Sequence, residues 1–360
     1  MHRLLIPLLL LPLLLPPLQG ADVDPRHRIQ GSPVDRLPSN IELLTTFGER
    51  QDISPDNKRV AFITKSFGDA MLIDLATRRI DCLTCGVPHA AFLRIMHLVT
   101  GDYILMGPEH FDWGQDPLKG REGNSEMWFL SKQPGSTPQR LGMKLFEGMA
   151  VSKKSMKVAW SQFSSEDPSI PKDVYRMFTA DVRIAGGKAE LVNRKQVAES
   201  HHPPCKLEPQ DFFDNDSKMT MSCYTVADPK QPFVVQAQVM VLDLNTGKYE
   251  NYSKAPGIYQ EPEGIFPDGK YTCVESDKQA MVNGRKVGEG WQIDLWRLRL
   301  DGTGKDFQRI THFNDFEGYH ASNPVVSTDG KFMVFSLGRA VETGMSSGAG
   351  HGILIYHFDR

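Results

Sequence analysis

The chain has little of several things, and each shortage excludes something. Lys and Arg never run beyond two in a row, and 41 basic against 44 acidic residues leave a formal net charge of −3. Nucleic-acid binding by bulk charge is thereby excluded. Five cysteines are too few for a disulfide scaffold. HExxH, P-loop and dinucleotide fingerprints are absent, and no GxSxG elbow is followed by a hydrolase domain. Beyond the amino terminus no apolar run approaches the roughly 20 residues that span a bilayer. Helical periodicity is almost missing. What is there is ordinary. Hydrophobic residues make 40% of the chain, and the 31 glycines bring that to about 49%, within the globular range.

The first 20 residues read MHRLLIPLLLLPLLLPPLQG. Arg3 is a short positive region, and residues 4–15 are an apolar stretch of signal-peptide length. Pro7, Pro12, Pro16 and Pro17 would spoil a spanning helix. Gly20 and Ala21 supply small residues for cleavage, although Leu18 and Gln19 are not small. Residues 1–20 are read as a signal peptide, with a signal anchor as the alternative. The mature chain is expected to be secreted, or to remain in the secretory pathway, with no membrane partner after cleavage. Residues 21–39 are polar and Pro-rich and read as a loose leader. Secretion makes Asn215-Asp216-Ser217 and Asn251-Tyr252-Ser253 usable as N-glycosylation sequons. It also permits disulfides. Cys82 and Cys85 have CxxC spacing after a strand-like segment, which favours a small structural bridge over a redox motif. Cys205 and Cys223 are read as closing a loop of about twenty residues. Cys273 is left over, and is expected to be a buried thiol.

Short β-rich runs alternate with Gly, Asp, Asn and Pro turns, and one pattern recurs six times. A strand, a polar turn and a second strand are followed by a variable loop, a third strand, a turn and a fourth strand. GIFPDGKYTCVES (264–276) and PVVSTDGKFMVFS (324–336) are the clearest copies. The turn residues Asp56, Asp102, Ser155, Ser217, Gly269 and Gly330 fall at intervals that suit four-stranded propeller blades. The fold expected for residues 40–360 is therefore all-β: one domain, a six-bladed β-propeller of four-stranded blades. The last repeat stops after its third strand. Residues 41–47 (IELLTTF) resemble the fourth strand of the fifth repeat, QRITHF (308–313). They are predicted to complete the last blade and remove a sheet edge.

The SPDN (54–57), FPDG (266–269) and STDG (327–330) turns resemble the repeats of TolB-like (PD40) β-propellers. EPEGIFPDGKYT, LDGTGKDFQRIT, GPEHF and EGYHASNPVVSTDGKFMVF resemble more closely a group of secreted fungal six-bladed propellers. That resemblance covers most of the mature chain. It implies a hetero-Diels–Alderase of tropolone sesquiterpenoid (meroterpenoid) biosynthesis, working without a cofactor or metal on hydrophobic small molecules, a tropolone and a terpene. The motif is specific for the fold more than for the reaction.

Residues just before each first strand should ring one mouth of the channel, and the loops between second and third strands should cover it. The ring comprises Gln51, Asp52, His97, Glu147, Gln210, Asp211, Glu261, Glu263, Tyr319, His320 and Asn323. The covering loops, residues 107–125, 163–174, 225–237, 277–292 and 337–351, are long for hairpins. They carry His110, Phe111, Trp113, Met281, Trp291, Arg339, Met345 and His351. Aromatic side chains mixed with a few polar groups suit a small-molecule pocket. His320, Glu263, His110 and Trp291 are the catalytic candidates, for proton transfer or hydrogen bonding to a quinone methide oxygen. Phe111, Trp113, Glu147, Gln210, Met281, Tyr319 and Arg339 are the candidates for substrate contact. Glu261 and Glu263 read equally as structural carboxylates at the ring. His97, His201, His320 and His351 lack local metal-ligand spacing. The alternative functions are a secreted polysaccharide lyase or hydrolase, and a non-catalytic binding propeller.

Overall fold

A computed structural model of the chain describes residues 22–87, 91–111, 124–201, 205–226, 235–341 and 348–360. Six four-stranded antiparallel sheets follow one another along the chain. Blade 1 runs through Glu49–Ile53, Arg59–Ile63, Ala70–Asp74 and Ile80–Cys82. Blade 2 runs through Arg94–His97, Tyr103–Pro108, Ser125–Leu130 and Gln139–Lys144. Blade 3 uses Met149–Val151, Lys157–Gln162, Val174–Ala185 and Lys188–His201. Blade 4 uses Lys206–Phe213, Lys218–Val226, Val235–Asp243 and Tyr249–Asn251. Blade 5 uses Gln260–Ile265, Tyr271–Ser276, Asp294–Arg299 and Phe307–Arg309. Blade 6 has Tyr319–Val326, Phe332–Arg339 and Ile353–His357, and its fourth strand is Ile41–Thr45. That strand pairs antiparallel with the third, Ile41 opposite Tyr356 and Leu43 opposite Leu354. The closure predicted from sequence is the closure found.

Around the axis, first strands lie against one another between blades 1 and 2, 3 and 4, 4 and 5, 5 and 6, and 6 and 1. The core is a series of apolar layers between blades. Phe62, Ile73, Val334 and Ile353 meet between blades 1 and 6. Leu207, Met219 and Met221 of blade 4 meet Ala159 and Met177 of blade 3. Each blade thus buries both faces, which is why its inner three strands read as dense apolar runs.

Four inner strands are irregular, and this positions the site. The register slips at residues 50–51, 210, 263–264 and 323–324. Arg50, Gly264 and Asn323 have positive φ of 52°, 81° and 50°. A bulge turns side chains that would follow the pleat toward a new direction. At Gly264 a Cβ would lie 2.7 Å from the Pro324 carbonyl oxygen, so only glycine fits.

Both expected disulfides are present, Cys82–Cys85 and Cys205–Cys223, and Cys273 is a buried thiol. Two disulfides suit an extracellular or otherwise oxidising environment. Among the described residues no helix is long and apolar enough to cross a membrane. Residues 22–39 are not loose. Ile29 bridges Phe316, Arg28 donates to the Asn314 carbonyl at 2.5 Å, and Asp22 meets Arg309 at 2.8 Å. Val34 and Leu37 pack on the layer between blades 5 and 6. The polar composition hid these few anchoring contacts.

Candidate functional site

The inner strands bring a dense set of charged groups into the channel. Glu261 accepts hydrogen bonds from the Tyr224 and Tyr259 hydroxyls and from Gln210 Nε2 at 3.0 Å. Glu263, two residues on, accepts from Asn323 Nδ2 at 3.3 Å. Glu275 stands opposite Glu261 in the strand register and accepts from the Asn323 backbone N–H at 2.5 Å. Arg94 approaches Glu208 at 3.7 Å, and Arg50 donates to Glu147 at 3.0 Å.

Burial pushes the Glu263 carboxyl up to about 7, with Glu261 adding to the rise and Arg94 opposing it. Burial, then repulsion from Glu263 and Glu261, drives Glu275 well above the usual carboxylate range. Two neighbouring buried carboxyls are therefore both raised, Glu263 to near neutrality, which suits it to hold or give up a proton at ordinary pH. A cavity of about 40 Å³ in the channel is lined by Arg50, Arg94, Glu263 and Asn323, among others.

A separate charged group lies farther along. His97 Nδ1 is 2.9 Å from Asp52, and Lys153 Nζ donates to Asp52 at 2.6 Å. Burial would raise Asp52, but Lys153 and His97 outweigh it and hold the carboxyl at about 2. Burial, only partly offset by Asp52, lowers His97 and so favours its neutral form.

No family model and no curated protein matches the chain. Solved structures do. TolB from Acinetobacter baumannii aligns at 15% identity over 81% of this chain and 65% of its own, with a TM-score of 0.44. Kuenenia stuttgartiensis hydrazine synthase aligns at 13% over 87% and 80%, TM-score 0.49. A protein described as a putative gluconolactonase aligns at 12% over 92% and 97%, TM-score 0.48. The chain thus spans under two thirds of that TolB chain. These TolB-like propellers are similar in architecture, some are named as enzymes, and at such identities the likeness carries nothing about chemistry.

The sequence-predicted residues fall into three places. Gln210 and Glu263 lie in the channel with Glu261. They sit within the inner strands and not just before them, because the bulges turn them inward. Trp291, Tyr319, His320 and Arg339 gather where blades 5 and 6 meet. The Trp291 backbone N–H donates to the Ala340 carbonyl at 2.8 Å, and the Arg339 guanidinium stacks on Tyr319 at 4.1 Å. Trp291 is 45% exposed and packs edge-on against Tyr259 at 5.2 Å. Met281 belongs to a two-stranded hairpin in the same loop. His320 is buried against Gly338, where a Cβ would lie 2.0 Å from its Nε2. Glu147 is tied to Arg50. On blade 2, His110 is exposed beside Glu109, and Phe111 stacks on Phe67 at 4.6 Å. Trp113 and Met345 lie outside the described residues. Asn215 accepts from Lys154 Nζ at 2.6 Å, and Asn251 closes the outer strand of blade 4.

Sequence reasoning missed Tyr259, Tyr224, Glu275, Arg50 and Arg94. Pro262-Glu263-Gly264 and Asn323-Pro324 inside strands were the available signal, since Pro and Gly there mark bulges. Tyr259 links the exposed Trp291, which it meets edge-on, to Glu261, to which its hydroxyl donates.

Proposed function

We propose that the chain is a cofactor-free cyclase, a hetero-Diels–Alderase joining a tropolone o-quinone methide to a humulene-type olefin at the long-loop mouth. The sequence resemblance supports the substrates. The observation that supports the chemistry is Glu263, a buried carboxyl raised to about 7 that lines a small channel cavity with Arg50, Arg94 and Asn323. In the first step a hydroxymethyl tropolone loses its ring hydroxyl proton and its side-chain hydroxyl, which leaves as water once protonated. Glu263 is suited to move that proton. The diene then adds to the alkene, forming one C–C and one C–O bond with no net oxidation. Holding both partners in near-attack geometry supplies several kcal/mol. A hydrogen bond to the quinone methide oxygen stabilises developing charge. Product analysis with a hydroxymethyl tropolone and a humulene alcohol tests the reading. Enzyme-dependent, stereochemically uniform adduct that survives EDTA supports it. Absence of adduct overturns it, and activity lost to EDTA but restored by a divalent ion would favour the lyase reading.

A further inference from the structure

At the opposite end of the channel, among the turns that join first to second strands, lies a cavity of about 560 Å³. Its size is that of a small-molecule pocket. Phe212, Phe213, Phe266, Leu300 and Val326 form apolar walls contributed by blades 4, 5 and 6. Asp211 and Lys153 line it and also line the smaller channel cavity behind it. Carboxylates outnumber ammonium groups around the space, with Asp211, Asp214, Asp216 and Asp268 against Lys153, Lys154 and Lys218.

The ammonium groups are already engaged by the protein. Lys153 donates to Asp52 at 2.6 Å, Lys154 to Asn215 at 2.6 Å, and Lys218 meets Asp214 at 3.0 Å. Asp216 accepts from the Ser152 and Ser155 hydroxyls. Asp211 is different. It accepts the backbone N–H of Gly264 at 2.7 Å and that of Ile265, and Lys153, which lines the cavity beside it, bonds Asp52. A carboxylate offers about four acceptor sites, so capacity remains.

We propose that this cavity is a second binding site, for a small amphipathic amine whose apolar or aromatic body lies on the phenylalanine walls and whose ammonium group reaches Asp211. The site is independent of the cyclase reading. Burial, against the pull of Lys153, pushes the Asp211 carboxyl up to about 6. A bound ammonium favours the carboxylate, so binding expels a proton. Affinity then rises with pH through 6 and levels off above it. His97, next to Asp52, is lowered by burial from its ordinary value, which favours its neutral form.

Calorimetric titration of the full-length mature protein with 2-(1-naphthyl)ethylamine and its neutral alcohol isostere tests this. The amine is expected to bind about tenfold tighter at pH 7 than at pH 5, while the alcohol binds at least tenfold more weakly with no pH dependence. Asp211→Asn should reduce amine affinity to that of the alcohol. Phe266→Ala, at the wall, should weaken both probes several-fold. Equal affinity for amine and alcohol, an amine isotherm unchanged between pH 5 and 7, or no binding at millimolar probe overturns the proposal. If Asp211→Asn does not fold, the pH dependence and the alcohol comparison on the unmodified protein decide the matter.

Discussion

Glu261 and Glu263 share one strand and one direction, yet their surroundings separate them. Glu261 is wrapped by the two tyrosine hydroxyls and Gln210, whereas Glu263 accepts a 3.3 Å contact from Asn323 and is shifted to about 7. A carboxyl that titrates near the working pH is the better proton carrier. Glu263→Gln keeps the shape and removes the proton. It should slow adduct formation on the order of 10²-fold and erase the limb of the pH–rate profile near 7. An unchanged profile would remove Glu263 from the mechanism. Trp291 acts by surface. Half-exposed over Tyr259, it forms a wall whose loss loosens the substrate without removing a charge. Trp291→Ala should cost several-fold in rate and erode the stereochemical purity of the adduct, read by chiral chromatography. His320→Ala should give a similarly graded loss, accompanied by a lower melting temperature, because the ring fills space above Gly338.

At the scale of the element, the cross-links explain how the inner strand of blade 4 is held. Cys205 immediately precedes that strand, and Cys223 sits opposite Leu207 on the next one. The bridge therefore fixes the end of the hairpin that presents Glu208 and Gln210 to the channel. The double variant Cys205→Ala/Cys223→Ala should lose up to about 3 kcal/mol by the loop-entropy argument, measured by denaturant unfolding. An unchanged midpoint would show that the hairpin needs no staple. The strand Ile41–Thr45 was legible because its apolar pattern repeats that of a known fourth strand and because the last blade lacked one. The blade count was legible for the same reason: each turn signal recurs at blade spacing. The channel chemistry was only half legible. Glu263 and Gln210 stood out as polar residues in apolar strands, but Glu275 and Tyr224 come from second strands. Only strand pairing brings them to the first. The cavity at the turn end was invisible because its walls come from blades whose turns are far apart in sequence.

At the scale of the whole molecule, the channel stores protons, and this sets how stability responds to pH. Asp211 at about 6, Glu263 at about 7 and Glu275, raised well above the usual carboxylate range, hold protons that an unfolded chain releases near pH 4. For each, the folded state binds more protons than the unfolded state between those values, so stability falls as pH rises. Their contribution is fully present below about pH 4 and is lost by the time pH passes the folded value. Asp52 works the other way. Held at about 2, it contributes stability above about pH 4 that disappears as pH drops toward 2. His97, lowered from its unfolded value near 6.5, works against the carboxyls, because its contribution to stability grows as pH rises toward 6.5. Three carboxyls outweigh one imidazole. Stability should therefore peak at about pH 4–5, and the melting temperature at pH 8 should lie several degrees below that at pH 5. Glu263→Gln cannot release the proton, so its melting temperature should fall less steeply over the same interval. Differential scanning calorimetry of both proteins in steps from pH 4 to 8 measures this. A melting temperature that climbs steadily from pH 5 to 8 would mean that His97 and the surface ion pairs dominate. Parallel curves for the two proteins would mean that Glu263 is ionised throughout, and would remove the proton that the proposed chemistry draws on.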